Sequence, residues 1–186
     1  MRKDIIAVFL IVLIVAVLIG GTDIQSVDEY YLTHIDDITP DSETVTLSIM
    51  CDTILDNYDD LDPTLRSEEF VPKDGVILPP TEYVLRHGDT AFDILDRATR
   101  HNKIQMEYQG EDRTGYGSVY IKGINNLYEY SCGPMSGWIY RVDGEIRNIG
   151  CSKDTLRDGQ TVEFIYTCDL GRDIGNSTVT EGSDMP

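Results

Sequence analysis

The sequence contains one uninterrupted apolar run, residues 5–19, that does not fit a water-soluble core. Arg2 and Lys3 precede the run, and Gly20 and Gly21 follow it. A basic flank followed by an apolar stretch is typical of a segment that directs the following chain across a membrane. Because basic residues stay on the cytoplasmic side, we expect residues 22–186 to lie outside the cell.

This segment is either retained as a membrane anchor or cleaved off as a signal peptide. A fifteen-residue helix is about 22 Å long and the hydrocarbon core is ~30 Å thick, so flanking residues would have to complete a span. Leu18-Ile19-Gly20 matches poorly to the small-x-small cleavage site of a secretory signal peptide. We therefore expect residues 1–21 to be an uncleaved signal anchor in the cell membrane. A cleaved signal peptide and a secreted chain are the alternative.

The charge balance is strongly acidic and unevenly distributed. The 186 residues carry 33 Asp and Glu against 15 Lys and Arg, a net charge of −18. Such a surface repels phosphate backbones, which excludes nucleic acid as an expected partner. Residues 22–44 are rich in acidic side chains and predict an extended tether. Residues 172–186 predict a polar tail, which leaves residues 45–171 as one domain.

The domain has a mixed α+β pattern. Residues 45–51 alternate strictly between apolar and polar and predict the first strand. Residues 75–85 predict a second extended stretch, which Pro79-Pro80 confines to a sheet edge. Thr90 and Asp93 form a capping-box pattern, and the apolar spacing after it predicts one amphipathic helix to about Asn102.

The second half of the domain is rich in strands. The patterns predict strands over residues 104–108, 118–121, 138–142 and 161–168, with a turn at Asp143-Gly144. This order of elements is that of a β-grasp-like mixed sheet with one helix packed on it. In such a sheet the first and last strands lie side by side and parallel at the centre.

The four cysteines predict disulfides. An even number of cysteines outside the cell indicates two bridges with three alternative pairings, and no spacing typical of a zinc site is present. Cys51 and Cys168 lie near the ends of the two strands expected to be adjacent. We therefore expect a Cys51–Cys168 bridge, which leaves Cys132 with Cys151.

An ordered set of motifs spans residues 45–171 and resembles a known family. The most informative members are Gly88-Asp89-Thr90, Cys132-Gly133 with Ser136-Gly137-Trp138-x-Tyr140, and Tyr166-Thr167-Cys168-Asp169-Leu170-Gly171. Together they resemble bacterial surface domains similar to the C-terminal domain of transcobalamin and intrinsic factor. The resemblance implies a β-grasp-like fold, and cobalamin as a ligand that a helical partner domain would help to enclose.

A ligand-binding loop is predicted beside the only tryptophan. Gly133, Ser136, Gly137, Trp138 and Tyr140 combine a flexible backbone, a hydroxyl and aromatic faces suited to a planar ligand such as a corrinoid nucleotide tail. The alternative is that Trp138 packs in the core, as aromatic residues in strands often do. An acidic run near Asp52 lacks the spacing of a calcium-binding loop and is expected to be solvated.

Two functions of different classes follow from these features. The first is a membrane-tethered extracellular module that binds cobalamin or a related corrinoid and presents it to an uptake transporter. A helical partner protein would complete its binding site. The second is a surface interaction or adhesion module that binds protein or cell-wall polymer. No catalytic motif is recognisable, so we expect no enzymatic activity, no catalytic residue, no required cofactor and no metal.

Overall fold

The computed structural model describes Ser26, Tyr30, residues 36–113, Gly115 and residues 117–175. The predicted membrane segment, most of the predicted tether and the tail beyond residue 175 lie outside these residues. None of the helices in the described part of the chain combines the length and apolar character needed to cross a membrane.

The described residues form eight strands and two α-helices in a mixed α+β arrangement, with one main helix. In chain order the elements are β1 (Thr44–Met50), α1 (Thr53–Asp56), β2 (Val76–Val84), α2 (Ala91–Asn102), β3 (Met106–Gln109), β4 (Tyr120–Ile124), β5 (Leu127–Tyr128), β6 (Gly137–Val142), β7 (Glu145–Ile146) and β8 (Thr161–Thr167).

Five of the strands form the main sheet in the order β2-β1-β8-β6-β7. β1 and β8 pair in parallel, with Leu47 opposite Val162, while the other neighbours are antiparallel. The prediction that the first and last strands lie side by side in parallel is therefore confirmed. β2 is an edge strand, as Pro79-Pro80 required, because proline cannot donate a ladder hydrogen bond.

The remaining strands form a second sheet in the order β3-β4-β5, which differs from the single sheet expected from the sequence. β4 and β5 are joined by Asn125 and Asn126, both with positive φ. Asparagine tolerates this left-handed conformation better than most residues, so the chain turns back on β4 at once. β4 therefore pairs with β5. It pairs with β3 along its other edge, while β6 belongs to the main sheet.

Helix α2 begins and ends where its local chemistry dictates. The Thr90 side chain accepts from the Asp93 amide, and the Asp93 carboxylate accepts from the Thr90 amide. This reciprocal cap confirms the predicted start. The helix ends at Asn102, and the residue that follows, Lys103, adopts a left-handed conformation. Its buried face, which includes Ile94 and Leu95, packs into the main core with β1 and β8.

The cysteines divide between two hydrophobic clusters. Cys151 lies in the main core, whereas Cys51, Cys132 and Cys168 belong to a second cluster around Tyr166. All four are free thiols, so the structure does not show the disulfide-stabilised fold predicted from the sequence. The separation of Cys151 from Cys132 between the clusters also gives the predicted Cys132–Cys151 pairing no support.

Two buried thiols, Cys51 and Cys151, predict an alkaline loss of stability. Burial raises the pKa of Cys51 to about 12 and that of Cys151 to about 11. The pKa of a thiol in an unfolded chain is about 8.5. Between these values the unfolded state loses protons that the folded state retains. The free energy of unfolding should therefore fall as the pH rises from about 9 through 11 and towards 12.

Thermal unfolding of the reduced protein between pH 7 and pH 11 measures this effect. A variant carrying Cys51→Ala and Cys151→Ala should show a shallower fall in the melting temperature with pH. Equal slopes for the two proteins would contradict the assignment to these thiols.

Candidate functional site

A cleft of about 150 Å³ lies between β4 of the small sheet and β6 of the main sheet. We call it the inter-sheet cleft. Its lining combines aromatic and aliphatic side chains with one thiol, and no charged residue contributes to it. The lining residues are Val119, Tyr120, Ile121, Trp138, Ile139, Tyr140, Gly150, Cys151 and Phe164.

Trp138 forms part of the cleft and also packs against both hydrophobic clusters. Its indole Nε1 donates a hydrogen bond of 2.7 Å to the Leu127 carbonyl oxygen. Its ring meets Tyr166 edge-on, with the ring centroids 5.3 Å apart. Trp138 therefore connects the two sheets and has one remaining surface that faces the cleft.

Tyr140 contributes its ring to the cleft but not its hydroxyl. The hydroxyl lies 2.6 Å from the Ile149 carbonyl oxygen and 3.2 Å from Asp154 Oδ2. Burial and the neighbouring Asp154 carboxylate raise the pKa of Tyr140. Asp154 is itself held by Arg147 through two hydrogen bonds of 2.8 and 3.1 Å. The phenol oxygen is thus committed to the protein, and only the ring is available to a ligand.

Tyr120 is the exposed aromatic residue of the cleft. The residue is 46% exposed, and its hydroxyl donates to Glu129 Oε2 at 2.5 Å. Partial burial and this hydrogen bond raise the pKa of Tyr120. The contact anchors the far end of the side chain, which leaves a restrained ring beside the opening of the cleft.

The predicted loop residues have a structural role behind Trp138. The Ser136 hydroxyl accepts from the Cys132 amide at 3.0 Å and from the Tyr166 hydroxyl at 2.9 Å, and it donates to the Gly133 carbonyl oxygen at 2.9 Å. Gly133 has a φ of 89°, which favours glycine. The Ser136 hydroxyl is therefore fully engaged within the loop.

The structure brings two of the five predicted ligand-binding residues into the cleft, Trp138 and Tyr140, and places Gly133, Ser136 and Gly137 outside its lining. Sequence reasoning missed the contribution of β4 and of the Gly150-Cys151 turn. The alternation around Tyr120 predicted a strand there. It did not indicate that this strand would lie opposite β6.

No group of three or more histidine, cysteine, aspartate or glutamate residues within the described part of the chain is arranged to hold a metal ion. Asp62, in the acidic run, accepts instead from the amide and the hydroxyl of Thr64, and these hydrogen bonds lower its pKa. This carboxylate serves to cap a turn.

Comparison with known proteins gives one family match and distant structural likenesses. Haptocorrin in complex with Cbi is 16% identical over 73% of this chain, with a TM-score of 0.44, and this chain covers 27% of haptocorrin. A candidate metal binding protein from Ruminococcus gnavus ATCC 29149 is 12% identical over 67% of this chain and 96% of its own, with a TM-score of 0.38. No curated protein matches the chain.

The family match covers the elements that build the cleft. It begins before α2 and ends with β8, so β1, α1 and β2 lie outside it. The resemblance of the sequence to a domain family without an assigned function is confirmed over residues 88–167, which match the family described as Domain of unknown function (DUF4430).

Proposed function

We propose that the protein is a non-enzymatic ligand-binding module whose inter-sheet cleft accepts one aromatic ring of a larger ligand. The observation that carries the proposal is the size and lining of the cleft, about 150 Å³ between the rings of Tyr120, Trp138 and Tyr140. An apolar cavity of about 150 Å³ holds a benzene-sized group, whereas a complete drug-sized ligand needs roughly 300–1,000 Å³.

The chemistry of the cleft supports binding more than catalysis. Its lining has no carboxylate, imidazole or amine that could act as a general acid or base. The one nucleophile, Cys151, is protonated at neutral pH because burial raises its pKa to about 11. An apolar slot with restrained aromatic walls can hold a planar group without reacting with it.

Within this proposal the ligand is cobalamin or a related corrinoid. The sequence resemblance to the transcobalamin and intrinsic factor C-terminal domain supports this choice, and the cleft is large enough for one ring of the base of the corrinoid nucleotide tail. The corrin ring would remain outside, where a helical partner protein could cover it. Residues 5–21 would tether the module to the outer face of the cell membrane, close to an uptake transporter.

Titration of the full chain in detergent with cyanocobalamin tests the proposal. Binding should be saturable and micromolar or tighter, which corresponds to ~8 kcal/mol or more. It should change the fluorescence of Trp138, the only tryptophan. Cobinamide, which lacks the nucleotide base, should bind more weakly. Absence of saturable binding would contradict the corrinoid proposal and favour the adhesion alternative.

A matched pair of tyrosine variants locates the ligand. Tyr120→Ala removes an exposed ring from the cleft, and we expect cyanocobalamin to bind roughly 3- to 10-fold more weakly because an aromatic contact is lost. Tyr130→Ala is the control, since Tyr130 is 66% exposed and is not part of the cleft lining. Equal affinities for the two variants would place the ligand elsewhere.

A further inference from the structure

The segment that follows Cys132 lies directly against the end of β8. Gly137 pairs with Thr167 in the antiparallel ladder. The Leu170 amide donates to the Met135 carbonyl oxygen at 3.0 Å. These backbone contacts hold the Cys132 loop, residues 131–136, beside the chain that leaves β8.

This arrangement places two thiols close together. Cys132 and Cys168 both belong to the second hydrophobic cluster around Tyr166. Cys132 Sγ also lies 3.3 Å from the Asn57 carbonyl oxygen, and Cys168 Sγ lies 3.7 Å from Thr53 Oγ1. Both sulfur atoms are therefore positioned from two sides, by the loop and by α1.

The other two cysteines are placed differently. Cys151 packs in the main core and donates towards the Val119 carbonyl oxygen. Cys51 belongs to the second cluster as well, where it is fully buried just after the end of β1. The residue before it, Met50, is opposite Ile165, three residues before Cys168. We propose that Cys132 and Cys168 form a disulfide that fastens the Cys132 loop to the end of β8.

The bond would form by thiol–disulfide exchange with a small-molecule disulfide or the disulfide form of an oxidoreductase. Cys168 is the more exposed of the two, so its thiolate attacks the oxidant first, forms a mixed disulfide and releases one thiol. The Cys132 thiolate then attacks the Cys168 sulfur and releases the second thiol. The protein loses two electrons and two protons, and the oxidant is reduced to two thiols.

The disulfide would restrict the motion of the loop that precedes Trp138, although neither cysteine lines the cleft. The Cys132 loop leads directly into Gly137 and Trp138 at the start of β6. Fastening the loop to β8 fixes the position at which Trp138 enters the cleft wall. The inference does not depend on the ligand, so it can hold even if corrinoid binding is not observed.

Peptide mapping of the full chain tests the pairing directly. After incubation with oxidised glutathione and alkylation of free thiols, trypsin should release peptide 123–141 joined to peptide 158–172. Cys51 and Cys151 should be alkylated only after denaturation. A Cys51–Cys168 link, or alkylated Cys132 and Cys168 in the oxidised folded protein, would overturn the proposal.

Single variants separate the disulfide from a structural effect of the substitutions. Cys132→Ser should trap glutathione on Cys168, whereas Cys151→Ala should leave the link between peptides 123–141 and 158–172 intact. The oxidised protein should melt roughly 10 °C above the reduced protein, because the bond closes a loop of more than thirty residues. That difference should vanish in Cys132→Ser and persist in Cys151→Ala, and a difference that survives Cys132→Ser would contradict the pairing.

Discussion

Alanine in place of Trp138 is expected to lower the free energy of unfolding by roughly 3–5 kcal/mol, the range typical of large aromatic residues in a core. The side chain packs against both hydrophobic clusters, so its removal opens a cavity between the two sheets. It also deprives the fully buried Leu127 of the hydrogen bond to its carbonyl oxygen. Chemical denaturation followed by far-ultraviolet circular dichroism measures the change.

A phenylalanine variant divides this loss into its components. Trp138→Phe keeps an aromatic ring but removes the indole donor, so we expect a smaller loss of about 1–3 kcal/mol for the unsatisfied carbonyl group. A loss below about 1 kcal/mol for Trp138→Ala would show that the ring lies on the surface as a platform. In that case the packing described for Trp138 would be wrong.

The second large effect is expected at Gly75, where the backbone has a φ of +69° and passes very close to Asp52. A Cβ atom at this position would lie 2.3 Å from Asp52 Cα, a backbone atom that cannot rotate away. The Gly75 carbonyl oxygen also accepts from the Cys51 amide at 2.7 Å, so the two segments cannot separate freely. Gly75→Ala should therefore cost roughly 2–4 kcal/mol of stability.

Gly88 provides the matched control for the backbone effect alone. Its φ is +84°, but a Cβ atom there would meet nothing within 4 Å. Gly88→Ala should therefore cost only about 1 kcal/mol, the strain of the left-handed conformation. The same denaturation experiment on both variants compares them, and equal losses would contradict the steric part of the argument.

Local patterns predicted the main elements well because their causes are local. The alternation over residues 161–168 predicted β8, which covers Thr161–Thr167. Thr90 and Asp93 fixed the first turn of α2. The parallel pairing of β1 and β8 followed from the order of the elements, which is that of a β-grasp-like sheet.

The sequence predicted only part of the cleft lining, because the cleft lies between two separate sheets. Trp138 and Tyr140 were recognisable as an aromatic pair on one strand. Their partner Tyr120 belongs to another sheet, and the division between the sheets depends on the conformation of Asn125 and Asn126. A pattern of apolar residues predicts strands but does not indicate which of them pair in the same sheet.

The cysteine contacts show a similar limit. Strand order alone indicated Cys51 as the neighbour of Cys168, since β1 and β8 are adjacent. The hydrogen bonds of Ser136 hold the Cys132 loop against Tyr166, which places Cys132 in the same cluster as Cys51 and Cys168. The conformation of this loop depends on its contact with Tyr166 in β8, which the loop sequence by itself does not indicate.

The parallel pairing of β1 with β8 also determines when the domain can fold. The hydrogen bond from the Thr44 amide to Asp158 joins residues 114 positions apart, and the central strand β8 is the last strand of the domain. A chain synthesised from its N-terminus can pair β1 with β2 early, but it completes the centre of its sheet only when β8 is present. We therefore expect the core to be completed late and comparatively slowly, because its central pairing joins distant parts of the chain.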